Sequence, residues 1–178
     1  MAPLPASKLL RIVCVLLTAC ALAACGFHLR ENVALPAGMH RVHVVVTGNY
    51  PLQQRLVRAL QTSGAIVEDN AGPGIAELHV PVAVFTTETL SVGGYARVSE
   101  FAVHFQVQFD VVDAAGRTVV PHKRIDMSRE YSYDATNTVG NDSQVAAIEV
   151  SLNDDMVQAI LFRLQAAGRK ASPAPARS

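Results

Sequence analysis

A two-layer α/β sandwich of the α+β class, with a mixed, mainly antiparallel sheet carrying two helices on one face, is the architecture this sequence predicts. Three patterns lead to it. From Phe101 to Val111 the residues alternate, with Phe101, Val103, Phe105, Val107, Phe109 and Val111 set against His104, Gln106, Gln108 and Asp110, the mark of a strand with one apolar and one wet face. Two further stretches, Leu52 to Leu60 and Val145 to Leu164, repeat their apolar residues at helical spacing. A sheet with one greasy face and two helices with one greasy stripe each must bury those surfaces against one another.

The elements follow in order. Arg41 to Val46 reads as the first strand, ended by Thr47-Gly48-Asn49. Asn49 suits a helix cap with Pro51 in the first turn, and Leu52, Leu56, Ala59 and Leu60 carry the helix to Gly64. Ala65 to Asp69 reads as a returning strand, so the opening is a βαβ unit. After the turn cluster Asn70 to Gly74, Leu78, Val80, Val82 and Val84 alternate with His79, Pro81, Ala83 and Phe85 toward Leu90. Pro81 cannot donate to a ladder, which marks this strand as an edge or a bulged one. Gly93-Gly94 sets a hairpin tip, and Asp113-Ala114-Ala115-Gly116 sets a second, with glycine at a left-handed position. The chain returns through Val119, Ile125, Met127, Tyr131 and Tyr133, and a last helix is expected to be capped near Asn141, Asp142 or Ser143. Its stripe is Val145, Ile148, Leu152, Met156, Ala159, Ile160 and Leu164.

Composition narrows the class of function. Fifteen acidic residues balance fifteen basic ones, so the chain lacks the positive field of a nucleic-acid binder. Trp is absent and aromatics make up 6%, which leaves the core to Val, Leu, Ile and Ala. Cys14, Cys20 and Cys25 all precede the body, so no disulfide staples it.

The N-terminus carries an address. Lys8 and Arg11 form a basic n-region, and Ile12 to Leu22 is an apolar run of about 10 residues, half the roughly 20 that a spanning helix needs. It ends in Leu22-Ala23-Ala24-Cys25, which resembles the lipobox read by lipoprotein signal peptidase. Leu17-Thr18-Ala19-Cys20 is a second candidate, but cleavage there leaves only Ile12 to Leu17 as the apolar region. The expected organisation is a lipoprotein signal peptide over 1–24, one periplasmic domain over 25–167, and a disordered tail over 168–178. Gly26 follows the cysteine where Asp would favour inner-membrane retention, which makes delivery to the outer membrane the expectation.

Four segments together resemble the lipopolysaccharide-assembly lipoprotein family, LptE. They are Cys25-Gly26-Phe27-His28-Leu29-Arg30 after the lipobox, the helix Leu52 to Leu60, the strand Ser128 to Asp134, and the terminal helix with Asp154-Asp155-Met156 and Arg163-Leu164. The likeness covers nearly all of the chain after Cys25. It implies a non-enzymatic partner of a large outer-membrane β-barrel, LptD, whose lumen it plugs while the pair moves lipopolysaccharide to the outer leaflet. It also implies lipopolysaccharide binding through basic residues at one end. Arg pairs bidentately with phosphate and Lys acts as a point charge, so Arg97, Lys123, Arg124 and Arg129 are the candidate contacts, against the plainer reading that they are solvated strand residues paired with acidic neighbours. Where relatives often place basic residues, this sequence has Gly93 and Gly140.

Other chemistry finds little support. The six histidines, His28, His40, His43, His79, His104 and His122, are scattered in sequence, without H-E-x-x-H or C-x-x-C spacing, so no metal and no cofactor beyond the covalent lipid on Cys25 are expected. There is no nucleophile elbow and no phosphate-cradling Gly loop. Glu100, Asp110, Asp113 and Asp126 are the carboxylates that a hydrolase would have to use. The alternative within the same class is an outer-membrane scaffold lipoprotein serving another barrel or peptidoglycan.

Overall fold

Arg41–Val46 forms the first strand, β1, which buries Val42 and Val44 and turns Arg41, His43 and Val45 the other way. In the computed structural model the described residues are 35–93, 97–133 and 138–171, and side chains are described for all of these except 91–93, 97–99, 138, 170 and 171. Helix α1, Tyr50–Thr62, starts where Asn49 Oδ1 accepts the Leu52 N–H at 2.9 Å, satisfying one of the four N–H groups a helix start leaves open. It stops in a Schellman motif: the Gly64 N–H reaches the Gln61 carbonyl and the Ala65 N–H reaches that of Leu60, both at 3.0 Å, with Gly64 at φ +90°. Leu52, Leu56 and Leu60 are fully buried, each contributing roughly 1.5–3 kcal/mol over an exposed side chain.

Strand β2, Ile66–Glu68, lies parallel to β1, as does β3, Ala76–Gly93. Strands β4, Arg97–Val112, and β5, Thr118–Ser132, complete an antiparallel meander, and the open five-stranded sheet runs β2-β1-β3-β4-β5. The mixed sheet, the two helices and the two-layer arrangement match the sequence expectation.

Pro81 behaves differently from either simple expectation. Strand β3 sits at the centre of the sheet, yet its ladder to β1 ends at Val46↔Val80, and its register with β4 jumps between His79 and Val82. The missing N–H therefore falls on a bulge, where the β1 side of the strand has also lost its ladder. The inserted residue reverses the alternation: Leu78 and Val80 face the core below it, and Ala83 and Phe85 above it, leaving Val84 46% exposed. The unbroken period of two expected from Leu78 to Val84 does not hold. Phe85 stacks on its register partner Phe105 with centroids 4.0 Å apart.

Helix α2, Thr138–Ala171, is longer at both ends than its stripe suggests. Ser143 does not cap it; its hydroxyl donates back to the Val139 carbonyl at 3.0 Å, a bond made inside a helix. Gly168 does not end it either: the helix runs on past it, and a Cβ there would lie 3.1 Å from Pro36 Cα. That glycine admits the lead-in segment at Pro36, and the helix continues to Ala171, past the start of the expected tail. Leu152, Met156, Val157, Ile160, Leu161 and Leu164 meet α1 and the sheet in one core.

Candidate functional site

The candidate lipidation residue, Cys25, lies outside the described residues. The body takes up the chain at Leu35 and Pro36, which pass Gly168 near the end of α2, and Met39 is fully buried after donating its N–H to the Pro36 carbonyl. The described chain therefore enters the body beside the C-terminal end of α2.

The four candidate cations do not converge. Arg97 opens β4 opposite Gly93, its side chain lying outside the described set. On β5, alternation separates the others: Lys123 and Arg129 share parity with core-facing Ile125 and point to the helix side, whereas Arg124 points to the open face. Lys123 and Arg129 are six residues apart, about 20 Å along a strand. Arg129 bonds Asp155 of α2 at 2.7 Å. Arg124 grips Asp126 with Nε and Nη2, 2.8–2.9 Å away, which holds the Asp126 carboxyl below its ordinary value and raises Arg124. Arg55 of α1 takes Asp154 at 2.7 Å. The Asp154-Asp155 pair noted in the sequence thus ties α2 to α1 on one side and to β5 on the other. Exposed pairs of this kind contribute little stability each.

The face of the sheet away from the helices gathers what the sequence scatters. His43, His79, His104 and His122 come from four strands to this one face, with Glu77, Glu88, Gln106, Gln108 and Asp110 among them. Asp110 Oδ1 lies 3.6 Å from His79 Nδ1 and 4.0 Å from His122 Nδ1, and His122 Nε2 is 3.1 Å from Gln108 Oε1. His104 Nε2 approaches Glu88 Oε2 at 3.1 Å, although the angle makes no hydrogen bond. Among the described residues no three His, Cys, Asp or Glu side chains form a group able to hold a metal. The missing signal was long-range: β pairing alone brings these histidines together.

The carboxylates weighed for catalysis are separated. Asp126 is held by Arg124, and Asp110 lies between two histidines. Asp113 is buried in the β4–β5 turn, where Oδ1 accepts the N–H groups of Ala115 and Arg117 at 2.9 Å and Oδ2 meets the Arg117 guanidinium. The backbone N–H of Arg117 leads these in holding its carboxyl below the ordinary value, against the opposing effect of burial. It is a turn residue.

A groove of about 500 Å³ opens between the start of β5 and the last turns of α2, lined by Val119, Val120, Pro121, Ala166 and Ala167, with Lys123 and Arg163. The sequence named Lys123 but gave no reason to place Arg163 beside it.

A family model, LptE, described as lipopolysaccharide-assembly, matches residues 39–164. No curated protein matches. Among solved structures the chain is similar to an uncharacterized lipoprotein B from Nitrosomonas europaea, with TM-score 0.66 and 23% identity over 79% of this chain and 91% of that one. It is also similar to rare lipoprotein B from Shewanella oneidensis, with TM-score 0.64 and 14% identity over 73% and 97%. A minor lipoprotein from Acinetobacter baumannii gives TM-score 0.60 and 19% identity over 75% and 97%. At these identities the structures speak for the fold.

Proposed function

The chain belongs to the lipopolysaccharide-assembly family LptE, and from that membership we propose that it is the lipoprotein subunit of an outer-membrane lipopolysaccharide translocon. In this reading it plugs the lumen of an LptD-type β-barrel, assists the barrel's assembly, and takes part without catalysis in inserting lipopolysaccharide into the outer leaflet. The observation that carries it is the family match, which spans β1 through Leu164 of α2. Two features support the finer statement. Cleavage before Cys25 and acylation of its thiol would hold the body at the periplasmic side of the outer membrane, each buried lipid CH₂ contributing about 0.8 kcal/mol. The open sheet face, polar and with no helix over it among the described residues, suits the hydrophilic interior of a barrel.

For lipopolysaccharide itself, we assign the phosphate contacts to Arg97, Arg124 and Arg129. Arg124 on the open face and Arg129 on the helix side would each exchange a carboxylate partner for a separate phosphate of the large headgroup. Lys123 has a different neighbourhood and is left out of this set. Depletion of the protein tests the whole reading: the barrel should misassemble and surface lipopolysaccharide should fall, and normal levels of both would overturn it.

A further inference from the structure

We infer that the groove between β5 and the C-terminal end of α2 binds an anionic glycerophospholipid of the leaflet that holds the anchor. Its phosphate would meet Lys123 and Arg163, and one acyl chain would lie over Val119, Pro121, Ala166 and Ala167.

Charge is the first reason. Most arginines of the body have an acidic partner: Arg41 with Glu68, Arg55 with Asp154, Arg117 with Asp113, Arg124 with Asp126 and Arg129 with Asp155. Among the described side chains, Lys123, Arg163, Arg58 and Arg169 have none, and of these Lys123 and Arg163 stand together at the groove. Two uncompensated cations over an apolar floor complement a net-anionic phosphate joined to a hydrocarbon chain: free phosphate lacks the chain, and in a zwitterionic lipid the headgroup ammonium offsets the phosphate charge. The volume, about 500 Å³, falls within the range of small-ligand pockets, roughly 300–1,000 Å³. That is room for one chain of a lipid whose remainder stays in the bilayer.

Position is the second. Ala167 of the groove precedes Gly168, against which Pro36 packs. From Leu35 back to Cys25 is ten residues, at most about 36 Å of extended chain. A lipid on Cys25 thus keeps the groove within that reach of the membrane surface. This placement rests on the anchor reading above, whereas the binding chemistry does not, so the two fail separately.

The test uses the full lipidated chain in nonionic detergent with Ala166→p-benzoylphenylalanine as a photo-cross-linker, in mixed micelles with phosphatidylglycerol, phosphatidylcholine or lipopolysaccharide. Phosphatidylglycerol should label about tenfold more than phosphatidylcholine, the effect of one charge-assisted contact. Labelling should fall to the phosphatidylcholine level in Lys123→Gln/Arg163→Gln, persist in Arg58→Gln, and resist excess inorganic phosphate. Equal labelling by both phospholipids, indifference to the double substitution, competition by inorganic phosphate, preference for lipopolysaccharide, or cross-linking only to residues 26–34 would each overturn the inference. Because the cross-linker could disturb the groove, native mass spectrometry of the unsubstituted chain provides a second reading. There phosphatidylglycerol should be retained and phosphatidylcholine lost, and retention of both or neither would overturn it too.

Discussion

Replacing Gly168 with alanine sets two known effects against each other. In an open helix the change should stabilise by roughly 0.8–1.0 kcal/mol, the difference in helix propensity. Here the added Cβ would lie 3.1 Å from Pro36 Cα and 3.2 Å from its nitrogen, where ordinary carbon contacts fall at about 3.5–4.0 Å. Both atoms are backbone, in a residue whose φ is fixed by its ring, so no rotamer change relieves the overlap. Overpacking of this kind costs about 1–3 kcal/mol, which outweighs the propensity gain and leaves a net loss of up to about 2 kcal/mol. For a body of this size that lowers Tm by up to about 4–8 °C. The defect should be local, so hydrogen exchange at the Met39 amide, bonded to the Pro36 carbonyl at 3.1 Å, should speed up more than exchange in β4. A rise in Tm with unchanged Met39 protection would refute the packing of the lead-in on α2, and with it the entry of the chain into the body at this end.

Three further outcomes follow from the same structure. Asn49→Ala removes the α1 cap and orphans Asn153 Oδ1, its buried partner at 3.3 Å; together these should cost about 2–4 kcal/mol in urea unfolding, and Asn49→Asp should recover the cap portion. The Asp113 carboxyl titrates lower in the folded state than in the unfolded one, so its stabilisation is complete above the unfolded value of about 3.9 and is lost as pH falls through the folded value. Asp113→Asn should therefore lower Tm at neutral pH and flatten its decline in acid, whereas an unchanged acid profile would show that the turn does not depend on that charge. Cys25→Ala should release the chain from membranes into the soluble periplasmic fraction, and continued membrane retention would move the anchor elsewhere.

Local chemistry made much of the fold legible. The Asn49 cap, the Gly64 stop and the Gly116 turn each depend on a few neighbouring residues, and the β4 alternation depends on one buried face. What eluded sequence reading depended on distant partners. Val84 reads as core until the bulge at Pro81 reverses the strand, and Gly168 reads as a helix stop until Pro36 is seen against it. The same holds for the site: the sequence offered Lys123, Arg124 and Arg129 as neighbours, but alternation sends Arg124 to the opposite face, and Arg163 joins Lys123 only through the packing of α2 on β5. Four histidines, dispersed along the chain, share one sheet face for the same reason.

The proposed partnership with a barrel is tested at the open face. A photo-cross-linker at Gln106, activated in intact cells before detergent extraction, should yield one dominant adduct, a large outer-membrane β-barrel of the LptD type, while the same probe at Gln61 on α1 serves as comparison. Capture of peptidoglycan or of an unrelated barrel from Gln106, or no adduct there at all, would contradict the assignment of this chain as the barrel's plug.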